Sequence, residues 1–468
     1  MNATLNRTVL ALGIALALAA SGASATNGYY THGAGTKSKG QAGAGSANPE
    51  ELMILATNPA GLTALPESID AGLGIFMPFR DYETSASLAQ GNCAPPGGPA
   101  NCAFTIGPND LASDNEFFPI PFVAMNWNLT DVDFLAAAFY ARGGMNTKWE
   151  GGTASFDPDT VPSGAITLSG TYGDNTAGVD LMQAFLNLSY ARKLSDQFSV
   201  GGSLILAMQR FEARGVDTFA PYTKTFVQSL FTTGLPAPAK NLSDNGHDLS
   251  YGYGGTLGMM WRPVDAFSLA ASYTTKMTMS DFSNYSDLFA GGGSFDMPST
   301  WTIGVAFRPT EAVTLVFDVQ DISYSDVDAV ANPIQNLFNC PLFNPGGDFE
   351  SCLGGNKGAG FGWEDMTVYK LGASWQYSDT WTWRVGYSLT DQPIPKDQMT
   401  FNILAPGVVE DHLTFGFTQD MANGNELNLS FMYAPTTEVK GLNNFDPSQT
   451  VKLEMNQIEL ELSYSWKR

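Results

Sequence analysis

The sequence predicts an all-β fold: a transmembrane barrel of about fourteen antiparallel strands with an N-terminal hatch, or plug, inside its lumen. Three observations predict it. The chain opens on an apolar leader, apolar residues recur at every second position from Ile69 onward, and the connections between those segments are short and long in turn.

Arg7 precedes an apolar run at 9–20, and Ala23, Ser24 and Ala25 supply the small-x-small pattern of an export signal, so residues 1–25 are expected to be removed. The run is too short to span a bilayer comfortably as a helix. Of the chain, 44% is apolar, 12% aromatic and only 15% charged, which suits strands with one face on lipid. Beyond the leader no apolar run reaches the length of about 18 residues that a transmembrane helix needs.

With 23 basic against 46 acidic residues the formal charge is −23, which argues against nucleic acid, whose phosphates would be repelled. Four cysteines fall in two close pairs, Cys93 with Cys102 and Cys340 with Cys352. In an exported protein such pairs inside loops are most simply disulfides; metal binding is the rival, but no histidine stands close to either pair. No metal site and no cofactor are expected.

Residues 26–67 form one unit and 68–468 another. The first is rich in Gly, Ala, Ser, Thr and Asn, with an apolar cluster from Leu52 to Leu55. Its composition favours a linker, whereas the cluster and the turn at Asn58, Pro59 and Ala60 favour a packed segment. From Ile69 the period becomes two. Val200, Gly202, Leu204, Leu206 and Met208 alternate with Ser199, Gly201 and Ser203, and Ile458, Leu460 and Leu462 alternate with Glu459 and Glu461. One apolar face at period two means a half-buried strand.

Such strands begin near Ile69, Phe118, Phe134, Met182, Phe198, Leu249, Phe267, Thr300, Val313, Val368, Trp381, Leu413, Leu427 and Ile458. The long connections fall at 83–116, 143–180, 212–247, 280–297, 324–366, 388–411 and 435–456, with short turns between them. A barrel in the outer membrane of a Gram-negative cell has this segregation of loops, whereas a soluble sandwich has no reason for it. Aromatics near strand ends, among them Trp127, Trp261, Trp375 and Trp466, fit interfacial girdles. The expected surroundings are membrane lipid and lipopolysaccharide, with the protein as a monomer.

The inward row is weakly polar, with isolated charges at Asp318, Lys370 and Arg384, which points to a cargo more apolar than sugars or ions. Two outer loops carry apolar residues that water would penalise: Phe226, Leu230 and Phe231 in 212–247, and Phe282, Leu288 and Phe289 in 280–297. They pack on one another, or line a groove for greasy molecules, or do both.

In these features the chain resembles the FadL/TodX outer-membrane transporters of long-chain fatty acids and other hydrophobic compounds. The likeness is strongest at 33–45 with Asn58, Pro59 and Ala60; at 297–325 with Trp301, Pro309 and Asp318; and at Trp381–Tyr387 with the following loop to His412. It implies a hatch that includes Leu52, Leu55, Asn58, Pro59 and Ala60. It also implies capture by outer loops, an inner pocket, and lateral release at an inward kink in the third strand. The small residues Ala136, Ala138, Gly143 and Gly144 are candidates for that kink. Arg210 aligns with a ligand-binding basic residue of the family, although strict alternation puts it on the outward row. Glu364 stands where a second basic residue belongs, which leaves room for a neutral cargo.

Long-chain fatty acids are the first expectation for the cargo and aromatic or aliphatic hydrocarbons the second. A hydrolase is disfavoured because His32, His247 and His412 are the only histidines and no Gly-x-Ser-x-Gly elbow occurs. A hydrophilic porin is disfavoured by the plug.

Overall fold

The computed structural model describes residues 27–94, 102–157 and 164–468, so the expected leader lies outside the described residues. One sheet of 16 strands dominates, two of which (Asp110–Ala112 and Thr278–Met279) are short pieces attached at its loop end. The remaining strands form the wall. They are β1 (Ser68–Thr84), β2 (Phe118–Asn128), β3 (Asp133–Asn146), β4 (Gly178–Lys193), β5 (Phe198–Arg214), β6 (Asp248–Val264) and β7 (Phe267–Thr274). They continue as β8 (Thr300–Thr310), β9 (Val313–Ile322), β10 (Met366–Ser378), β11 (Trp381–Leu389), β12 (Asp411–Asp420), β13 (Glu426–Asn443) and β14 (Asp446–Lys467). Each pairs antiparallel with its neighbours in sequence, and β14 pairs with β1 from Ser68–Lys467 to Thr84–Val451, which closes the ring. Closure leaves the wall without an edge strand, the condition for crossing lipid with strands.

Every expected strand start falls inside one of these strands. Short turns, such as 265–266 and 379–380, gather at one end and long connections at the other. The last long connection differs from expectation. Residues 435–456 are a hairpin, in which β13 runs past Tyr433, its final pairing with β12, to Asn443 and returns at Asp446. Buried Val451, Leu453 and Met455 continue the period of two, so the strand does not stop where the lipid-facing row stops.

On the outward row apolar side chains such as Leu204, Leu206, Leu371 and Phe415 are exposed, as lipid contact requires. Trp127, Trp261, Trp375 and Trp466 girdle the short-turn end, and Tyr273, Trp301 and Tyr387 the loop end.

The N-terminal segment lies within the ring, because its polar contacts reach strands on every side. The Leu52 N–H donates to Asp70 on β1 (2.9 Å), Thr63 to Ser199 on β5 (2.9 Å), and Asn58 to the Met259 carbonyl on β6 (3.2 Å). Across the lumen, Arg308 on β8 donates to Asn48 (2.7 Å), Arg384 on β11 to Glu50 (2.9 Å), and Lys37 to Glu426 on β13 (2.6 Å). Lys39 meets both Glu459 and Glu461 on β14, the latter at 2.6 Å. The inward charges that read as isolated in sequence are thus engaged by this segment. Asp318 accepts the Gly45 and Ser46 N–H groups (3.1 and 2.9 Å), and Lys370 donates to the His32 carbonyl (2.9 Å).

Leu52 and Leu55 are fully buried in a cluster with Phe122, Phe134, Phe185 and Ile205. Pro59 opens the 3-10 turn Pro59–Ala64, and the Asn58 side chain caps it by accepting the Ala60 N–H (3.2 Å). Gly201 and Gly386 let the backbones approach. A Cβ on Gly386 would meet the Gln41 carbonyl carbon at 2.3 Å, and one on Gly201 the Ala60 nitrogen at 2.6 Å.

Candidate functional site

At the loop end the connections fold together over a large apolar core, and between them lies a cavity. Its walls come from the loop-end strand residues Val179 and Phe211 and from four connections: Val216, Phe219 and Leu242; Leu288 and Phe289; Ala329, Leu353 and Phe361; and Phe401 and Leu404. No charged side chain lines it. The space between atoms is about 520 Å³, of which about 40 Å³ admits the centre of a water-sized sphere, so a large ligand must part the walls.

One wall is held by a clamp. The helix Lys224–Thr233 starts at Thr223, whose hydroxyl accepts the Phe226 N–H (3.3 Å), and ends at Gly234 with φ 77°. Bonded Cys340 and Cys352 close a loop that packs on it. Tyr222 stacks on Phe343 (4.8 Å between ring centres), and Lys224 pairs with Glu350 (2.5 Å). The Asn356 N–H, followed by the Lys224 ammonium, holds the Glu350 carboxyl below its usual range. Cys93 and Cys102 are also bonded.

Near the cavity the wall is interrupted. β3 pairs with β2 as far as Tyr140–Phe122 and then continues with β4 alone, through a bulge between Ala141 and Gly143. Beyond that point β2 reads Phe118, Pro119, Ile120, Pro121, and prolines supply no N–H to a neighbouring strand. The N-terminal segment takes the vacated place. Thr31 N–H donates to the Arg142 carbonyl and Gly144 N–H to the Tyr29 carbonyl, both at 2.9 Å. Arg142 lies over the Tyr30 ring at 5.0 Å. Gly143 is needed here, since its Cβ would meet the Tyr29 carbonyl oxygen at 2.9 Å.

The chain thus combines a closed ring, an occupied lumen and an apolar cavity among the loops. A family model described as outer membrane protein transport protein (OMPP1/FadL/TodX) matches residues 16–457. The chain belongs to this family. A curated relative, the long-chain fatty acid transport protein of Salmonella typhi, is 24% identical over 300 residues, covering 59% of this chain. The match spans 65% of that relative, just under two thirds of its length. Among solved structures, the Pseudomonas putida toluene transporter TodX superposes with a TM-score of 0.58 at 16% identity over 94% of this chain and 99% of that one. A Pseudomonas aeruginosa FadL homologue gives 0.58 at 14% identity over 94% and 99%. The Ralstonia pickettii toluene transporter TbuX gives 0.57 at 15% over 93% and 98%. At these identities the likeness is one of fold. Membership in the FadL/TodX family makes this chain an outer-membrane transport protein, not an enzyme.

Of the expected ligand-binding residues, Leu288 and Phe289 line the cavity. Phe282 lies one layer behind, against Phe211 (5.5 Å) and Phe289 (6.2 Å). Phe226 and Leu230 are half-buried on the helix, and Phe231 is 50% exposed beside Phe349 (6.1 Å). The structure does not bring these three to the cavity.

Arg210 is not brought to it either. It sits on the outward row of β5, where pairing with β4 and β6 is continuous and no bulge turns it inward, and it pairs with Asp180 (3.1 Å). Ala136 and Ala138 belong to regularly paired β3, and their small side chains admit the Leu52–Ala56 turn; the break lies at Gly143 and Gly144. His412 touches Ser388 (3.0 Å), but its Nε2 has no partner and the pair is sealed in the lumen.

Sequence reasoning missed the contributions of the fifth and sixth connections, above all Leu353, Phe361, Phe401 and Leu404. Their signal was the same as that of the loops singled out: large apolar residues in stretches that should face water. Pro119 and Pro121 were the missed signal for the break.

Proposed function

We propose that this barrel takes up long-chain fatty acids, captured among the outer loops and released sideways into the membrane at the break in β3. The observation that carries the reading is a cavity walled wholly by apolar side chains, set beside an interruption in the barrel wall. An alkyl chain gains roughly 0.8 kcal/mol per CH₂ on leaving water, so it enters such a cavity readily and moves on to lipid without crossing water. The segment 26–67 acts as the hatch, and Tyr29 to Thr31 must leave the edge of β3 for the side exit to open.

The uncharged lining, and the toluene transporters among the structures of like fold, favour aromatic hydrocarbons as the second reading. Saturable binding of labelled oleate by the purified protein, measured beside labelled toluene, tests both. Oleate binding supports the first reading, toluene binding alone moves the assignment to the second, and failure to bind either sinks the proposal.

A further inference from the structure

Several buried cations face the lumen, and they are not alike. Lys37, Lys39 and Arg384 each meet a carboxylate. Arg80, on the inward row of β1, is 4% exposed, and among the described residues no carboxylate lies within 4.0 Å of it. Its Nε has no hydrogen-bond partner, one Nη donates to the Asn115 carbonyl, and Cζ lies 5.7 Å from the Phe118 ring centre. Glu116 acts on it only at longer range and is exposed. A guanidinium withdrawn from water without a counter-ion is unfavourable, and it is retained where something else supplies the negative charge.

The surroundings say what that something is. Arg80 lines a narrow space of about 250 Å³ between atoms, of which about 20 Å³ admits the centre of a water-sized sphere, and whose other walls include Met145, Trp363, Leu404 and Met455. Leu404 also lines the apolar cavity, so the two spaces share a wall residue. Met145 follows the bulge in β3, which places this space at the break in the wall.

We infer that Arg80 is the anchor for the carboxylate of an amphiphilic acid whose hydrocarbon chain lies in the apolar cavity. The inference rests on the uptake reading and deepens it, by naming a charged headgroup as part of what is recognised. A guanidinium offers planar, paired donors to two carboxylate oxygens, and the unpartnered Nε is one of them. An ester or a hydrocarbon of equal length fills the cavity equally well but leaves the cation unpaired.

The test compares oleate with methyl oleate in binding to the full-length barrel. The wild type should prefer the acid, and Arg80→Gln should reduce that preference by about tenfold to a hundredfold, the usual worth of a charge-assisted hydrogen bond. Arg80→Lys should keep part of the preference, which guards against a variant that fails to fold. An unchanged preference in Arg80→Gln makes Arg80 a structural cation and overturns the inference. So does a wild type that binds acid and ester equally, a result that needs no variant and leaves uptake intact. A wild type that binds neither overturns the uptake reading itself.

Discussion

Lys39 illustrates how a single residue ties the hatch to the wall. It is 3% exposed, between Glu459 at 2% and Glu461 at 1%. Lys39→Met removes one partner and leaves two buried carboxylates facing each other, which should lower stability by roughly 3–5 kcal/mol. A thermal melt measures this, and adding Glu459→Gln and Glu461→Gln should restore most of the loss. An unchanged melting temperature in the single variant would show that the triad does not hold the hatch. At this scale the sequence was half legible. Alternation put Asp318, Lys370, Glu459 and Glu461 on the inward row and Arg210 on the outward one. It could not say what the inward charges met, because Lys39 and Glu459 are 420 residues apart.

Among elements, the helix Lys224–Thr233 and the loop stapled by Cys340 and Cys352 form a clamp whose strength depends on pH. The Glu350 N–H, followed by Lys357, holds Asp348 low, as Asn356 and Lys224 hold Glu350. A depressed carboxyl stabilises above its unfolded pKa, about 4.3 for Glu, and that contribution is lost as pH falls through the lower folded value. Hydrogen exchange in 224–233, corrected for intrinsic rate, should match at about pH 7 and pH 5 and quicken below about pH 4. Protection that persists to about pH 3 would show that the ion pairs do not hold the clamp. The strands were legible because their period is local. The fifth and sixth connections were not, since irregular loops have no period and Phe361 and Leu404 acquire meaning only where they meet.

For the whole molecule, the wall is held by strand pairing around a closed ring, parted where β2 and β3 separate, whereas the N-terminal segment is held by side chains and one short run of backbone contacts at Gly143. Removing residues 26–55 behind an intact leader should therefore leave a folded barrel that conducts. Planar bilayers should show a large, steady conductance absent from the full chain; a truncated barrel that stays tight refutes the plug.

By itself the sequence determined the barrel, its two kinds of loop and its lipid-facing row. These follow from a period of two and from connection lengths, and both are properties of neighbouring residues. The tertiary structure decided what each lumenal charge meets, and that among the described residues no carboxylate lies within 4.0 Å of Arg80. It also placed the break in β3 at Gly143, and not at Ala136 or Ala138, because a gap exists only where β2 and β3 part and Tyr29 to Thr31 arrive. Those outcomes depend on residues hundreds of positions apart meeting across a lumen, and no local pattern encodes such meetings.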